Sequence, residues 1–91
     1  KAIGVVVDRK GSTPVKTGAI MCVNTLGQSF GTIGGGCGEH EVLRKALEVL
    51  SDKKDTFLSV DMTNDFAGEE GMVCGGTMDV IIQYVPGKVE I

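Results

Sequence analysis

Residues 39 to 50, EHEVLRKALEVL, carry a helical period in a chain whose other apolar runs read as strands. Val42, Leu43, Ala46, Leu47 and Leu50 fall at i, i+1, i+4, i+5 and i+8, one stripe of a 3.6-residue repeat. Such a stripe has to be buried against another layer, and here that layer is β-type. AIGVVVD at 2 to 8 is a nearly continuous β-branched run, AIMCVN at 19 to 24 a second strand and SFGTI at 29 to 33 a third. TLGQ between the second and third is a turn, so those two form a hairpin. TFLSVD at 56 to 61 and TMDVIIQYV at 77 to 85 complete the set, with Pro86 and Gly87 closing the last. RKGSTPVKTG has loop chemistry, and MTNDFAGEEGMVCGG at 62 to 76 reads as a long irregular segment. The expected fold is α+β in two layers: one mostly antiparallel or mixed sheet of about five strands, covered by one main helix.

At 91 residues the chain is a single domain with one core. Phe30, Phe57, Phe66 and Tyr84 are its aromatics, so Val, Ile, Leu and Met must build that core. The net charge is −3, and the basic residues stand singly or in pairs, which argues against nucleic acid as a partner. No apolar run reaches the roughly 20 residues that span a bilayer, and no signal-peptide pattern opens the chain. A cytoplasmic protein without membrane contact is expected. Cys22, Cys37 and Cys74 lack C-x-x-C spacing, which makes reduced thiols the default rather than a disulfide framework or structural zinc.

The junction TIGGGCG, 32 to 38, places glycines and a thiol directly before the helix. It misses the phosphate-loop pattern: Gly31 and Gly36 have the spacing, but Cys37 and Gly38 replace the lysine and hydroxyl. It is not a dinucleotide fingerprint either. Two readings stand level: a tight turn needing positive φ, and an anion cradle made by unpaired helix N–H groups. Cys37 sits where the helix dipole lowers a thiol pKa, whereas Cys22, inside a strand, reads as structural. MVCGG at 72 to 76 echoes IGGGC at 33 to 37, each a glycine cluster with a cysteine at a strand end, and the two loops are candidates to meet. Cys37 and Cys74 then become candidate soft-metal ligands or persulfide acceptors.

Other motifs fall to plainer readings. GQSFG at 27 to 31 matches the nucleophile-elbow pattern, yet Ser29 enters a strand instead of leaving one for a helix. His40, between Glu39 and Glu41, reads as a solvated first-turn residue. DMTNDFAGEEG lacks the glycine and terminal glutamate of a calcium loop and reads as a mobile acidic loop, a candidate lid. Ser12, Thr13 and Pro14 form a turn whose donors would suit a bound anion.

Taken together, GSTPVKTGAIMCV, GTIGGGCGEHEVLRKAL and EEGMVCGGTMDVII resemble the N-terminal domain of the XdhC/CoxI family, the xanthine dehydrogenase and carbon monoxide dehydrogenase accessory proteins. The blocks lie in the family's order and span Gly11 to Ile82. The resemblance implies a maturation factor, not a catalyst. It would bind molybdenum cofactor (molybdopterin), protect it while a cysteine-desulfurase-type sulfurase installs its sulfido ligand, and deliver it to an apo molybdenum hydroxylase. Carried over by position, the cofactor-binding residues would be Ser12, Thr13, Pro14 and Gly18; Gly34, Gly35, Gly36, Cys37 and Glu39; and Met72, Cys74, Gly75 and Gly76. Cys37 and Cys74 would face the metal. Many family members carry a second, Rossmann-like domain; residues 1 to 91 read as the stand-alone short form without it. A homodimer, with the 62 to 76 loop completing a site across it, is a further expectation without a sequence signature of its own. From outside the family reading, the alternatives are a thiol-dependent sulfur or redox carrier using Cys37 and Cys74, and a non-catalytic interaction module.

Overall fold

The computed structural model describes residues 1–11, 13, 15–33, 38–63, 65–67 and 72–86, and for 65–67 and 72–74 the backbone alone. The elements run β1 (Ala2–Lys10), β2 (Ile20–Val23), β3 (Ser29–Gly31), α1 (Glu39–Asp52), β4 (Thr56–Asp61), β5 (Asp65–Ala67), β6 (Met72–Cys74) and β7 (Thr77–Tyr84). A five-stranded sheet has the order β3-β2-β1-β7-β4, and every neighbouring pair in it is antiparallel. With α1 packed on one face, this is the two-layer α+β arrangement.

β1 runs two residues past the apolar stretch because Arg9 and Lys10 still pair with Met78 and Thr77 of β7. A bulge between Val6 and Asp8 shifts that register. Segment 62 to 76 departs from its expected irregularity: β5 and β6 form a separate two-stranded ribbon, pairing Asp65 with Cys74 and Ala67 with Met72. Strands of three residues are too short for a period of two to register in sequence.

Strands β3 and β4 point the same way at opposite edges of the sheet, so α1 between them crosses the face and contacts β1, β2, β4 and β7. Its buried line is Val42, Ala46 and Val49, with Leu43 and Leu50 at the margins. Leu47, on the expected stripe, is 44% exposed, and Val49 takes its place. The helix settles closely because Ala2 and Gly4 are the residues of the central strand beneath it; a Cβ on Gly4 would touch Val42 at 3.4 Å. Burying each valine of that line contributes about 1.5–3 kcal/mol of transfer free energy. Met21, Val23, Met78, Val80 and Ile82 supply the sheet's side of the core. Among the described residues, no helix is long and apolar enough to cross a membrane.

Candidate functional site

Strand directions decide where the loops meet. β1, β3 and β4 run one way and β2 and β7 the other, so the segments following β1, β3 and β4 all emerge at the end of the sheet where β7 begins. Those segments hold the three blocks singled out in the sequence. Each is anchored by one fully buried apolar side chain: Val15 in the first, Ile33 in the second and Met62 in the third.

Backbone packing then brings the segments into direct contact. Gly76, at φ 81°, lies so close to β1 that a Cβ there would sit far inside van der Waals contact distance of the Lys10 carbonyl oxygen. Gly11, at φ 87°, faces it, and a Cβ on Gly11 would lie 2.8 Å from the Gly76 Cα. The Met62 N–H donates to the Gly76 carbonyl at 2.9 Å, tying β4's exit to β7's entry. Gly38, buried and at φ 71°, abuts Met78 and Met62; a Cβ there would lie 2.5 Å from Met78 Cε and 3.2 Å from Met62 Sδ. The start of α1, the start of β7 and the end of β1 thus form one continuous floor.

Gly38 is also the N-cap of α1, and no side chain caps it. The first-turn N–H groups are the donors an anion would use, while Glu39 and Glu41 in that turn oppose one. Glu39 is partly committed elsewhere. Its Oε1 accepts hydrogen bonds from the Thr32 hydroxyl and from the Ile33 N–H at 3.1 Å, clasping the two ends of the 33-to-38 junction together. His40 is exposed. At the far margin, the Thr63 N–H and hydroxyl both donate to Asp61 Oδ1, at 3.0 and 2.8 Å, and hold that carboxyl below the ordinary aspartate range.

Thr13 accepts a hydrogen bond from the Val15 N–H at 3.2 Å, a local turn. Gly18 is the third residue of a turn closed by Ala19 N–H to Lys16 carbonyl at 3.1 Å, and its φ of 92° is that of a type II turn. Its own N–H donates to Val6 at 2.8 Å. Gly75 and Gly76 are half-buried beside this floor. Met72 and Cys74 lie on the β5–β6 ribbon, where the backbone alone is described. Ser12, Pro14, Gly34, Gly35, Gly36 and Cys37 lie outside the described residues, as do Asn64 and residues 68–71 of the candidate lid. Among the described residues, no three His, Cys, Asp or Glu side chains converge as a metal set. Ser29 begins β3, away from any strand-to-helix turn, and Cys22 is half-buried in β2. Sequence reasoning missed Gly11, Gly38 and the Thr32–Glu39 clasp, whose partners become neighbours only in the folded chain.

The geometry has counterparts in known proteins. A model of the XdhC and CoxI family matches residues 1–61, which takes in β1 through β4 and the first two blocks. The chain belongs to the XdhC and CoxI family. It is 38% identical over 81 residues to the uncharacterized protein YqeB of Escherichia coli strain K12, covering 89% of this chain and 15% of that protein. Among solved structures it resembles one described as a xanthine dehydrogenase (BH1974) from Bacillus halodurans, with a TM-score of 0.73 and 26% identity. That likeness covers 90% of this chain and 25% of the other. The chain therefore spans a small part of the length of both relatives.

Proposed function

We propose that this domain is the cofactor-handling part of an accessory protein for molybdenum-enzyme maturation, acting as a carrier and not a catalyst. The cargo is molybdenum cofactor, received for sulfuration by a cysteine-desulfurase-type sulfurase and passed to an apo molybdenum hydroxylase. The observation that carries this reading is the convergence of three loops on one end of the sheet in a member of the XdhC and CoxI family.

The described residues divide the labour. Gly11, Gly38 and Gly76 are taken up by chain packing, so close approach of a pterin falls to Gly34, Gly35, Gly36 and Gly75. First-turn N–H groups of α1 are the donors for a terminal phosphate, aided by the hydroxyl of Ser12. Glu39 acts as a positioning residue, because its clasp on Thr32 and Ile33 fixes both ends of the glycine junction. Cys37 and Cys74 supply soft sulfur toward the metal end of the cargo. Carriage by a homodimer of this domain fits the same reading.

Equilibrium binding of molybdopterin released from a molybdenum hydroxylase, read by fluorescence of the oxidised pterin, tests it. One cofactor per chain is expected, with Cys37→Ala and Cys74→Ala each weakening binding about tenfold or more. Undiminished binding in the double variant would remove the thiols from the site. No binding by the native chain would remove the cargo.

A further inference from the structure

One face of the sheet lies under α1; the other carries two rows of mostly apolar side chains, and among the described residues no helix lies above them. The register places Ile20, Val5, Ile81 and Phe57 side by side across β2, β1, β7 and β4. Two residues along, Phe30, Cys22, Ile3 and Gln83 form the next row. Phe57 is 60% exposed, Ile20 52%, Phe30 41% and Ile81 38%.

Charge brackets these rows. On the side of the glycine floor, Asp8 pairs directly with Asp79, and Asp79 accepts a hydrogen bond from Ser59 at 2.9 Å, which fixes its carboxylate on this face. Lys10 and Asp61 share the row beyond, both paired with Thr77, and offset each other. On the opposite side stands Lys1, whose backbone extends the ladder through paired hydrogen bonds with Val85 at 2.8 and 2.9 Å. Its alternation with Ala2 and Ile3 puts Lys1 on the same face as Ile3.

We infer that this face packs against the same face of a second copy of the chain, about a two-fold axis that lies between the sheets and runs across the strands. Such an axis reverses strand direction and exchanges the two apolar rows. It therefore sets Lys1 of each copy over the Asp8–Asp79 pair of the other. A two-fold along the strands would instead oppose the two acidic ends, which like-charge repulsion disfavours. The areas agree with this occupant. At the stated exposures the rows offer about 400 Å² of apolar surface per copy, taking such side chains at roughly 150–250 Å² each. That is the size of the largest apolar patch on a typical monomer, a class of patch that is often functional. A standard interface burying about 800 Å² per partner, about 65% of it apolar in homodimers, needs a comparable amount. Sheet-on-sheet packing at a separation of about 10 Å is the matching architecture.

Sedimentation equilibrium of the full chain over a dilution series tests the inference. A dimer is expected. Ile81→Asp and the more exposed Phe57→Asp should each weaken it about a hundredfold, with the far-ultraviolet circular dichroism unchanged. Lys1→Glu should weaken it about tenfold through the two symmetric pairs, and adding Asp79→Lys should restore it. A monomer at every concentration, or a dimer indifferent to both aspartate substitutions, overturns the interface. Failure of the charge exchange to restore the dimer overturns the orientation.

Discussion

Gly76 and Gly18 lie at the same end of the sheet, and both adopt positive φ, 81° and 92°. Their surroundings differ completely. A Cβ on Gly76 would be driven into the Lys10 carbonyl, a group held in the β1 ladder, whereas a Cβ on Gly18 would have nothing within 4 Å. One glycine marks where two segments distant in sequence press together; the other marks only a local turn. Gly38 stands between them, since the atoms in its way belong to Met78 and Met62, whose thioether chains can yield. A glycine in a loop that bears a site is therefore not in itself a sign of a ligand.

Substituting alanine at each of the three measures this difference, with stability read from urea unfolding. Gly76→Ala combines positive-φ strain with a clash against backbone and should cost more than about 3 kcal/mol. Gly38→Ala should cost about 2 kcal/mol, and a double-mutant cycle with Met78→Ala should return roughly 1 kcal/mol of coupling as space opens. For Gly18→Ala only the backbone term remains, about 1 kcal/mol. Equal losses at Gly18 and Gly76 would mean that φ alone sets the cost and that the contact with Lys10 contributes nothing.

Sheet and helix were legible because each rests on a pattern within a short window. The 3.6-residue period located α1, and β-branched runs located β1, β2, β4 and β7. Within the helix the stripe was drawn about one residue too far round: Leu47 outranks Val49 in size, yet the burial direction is set by where Gly4 and Ala2 let the helix settle. The β5–β6 ribbon was illegible, its strands being only three residues long. The echo between IGGGC and MVCGG joined two segments of which only the margins can be placed at the end of the sheet where β7 begins, Ile33 and Gly38 for the first and Gly75 and Gly76 for the second, since residues 34–37 lie outside the described residues. It could not identify the contacting residues. Gly11 and Gly76 meet through the register of β1 on β7, which depends on positions some 70 residues apart, and Gly38 joins them only by way of Met62 and Met78.

That same register has a consequence for how the domain comes into being. The central strand β1 and its neighbour β7 are the first and the last of the described strands in sequence, joined by eight residue pairs from Ala2–Tyr84 to Lys10–Thr77. During synthesis β1 and β2 can pair early, but they have no central partner until β7 leaves the ribosome. Met62 and Gly11 acquire Gly76, and Gly38 acquires Met78, at the same moment, since Gly76 immediately precedes β7 and Met78 lies within it. A nascent chain therefore has no partial version of the floor to present before β7 is made.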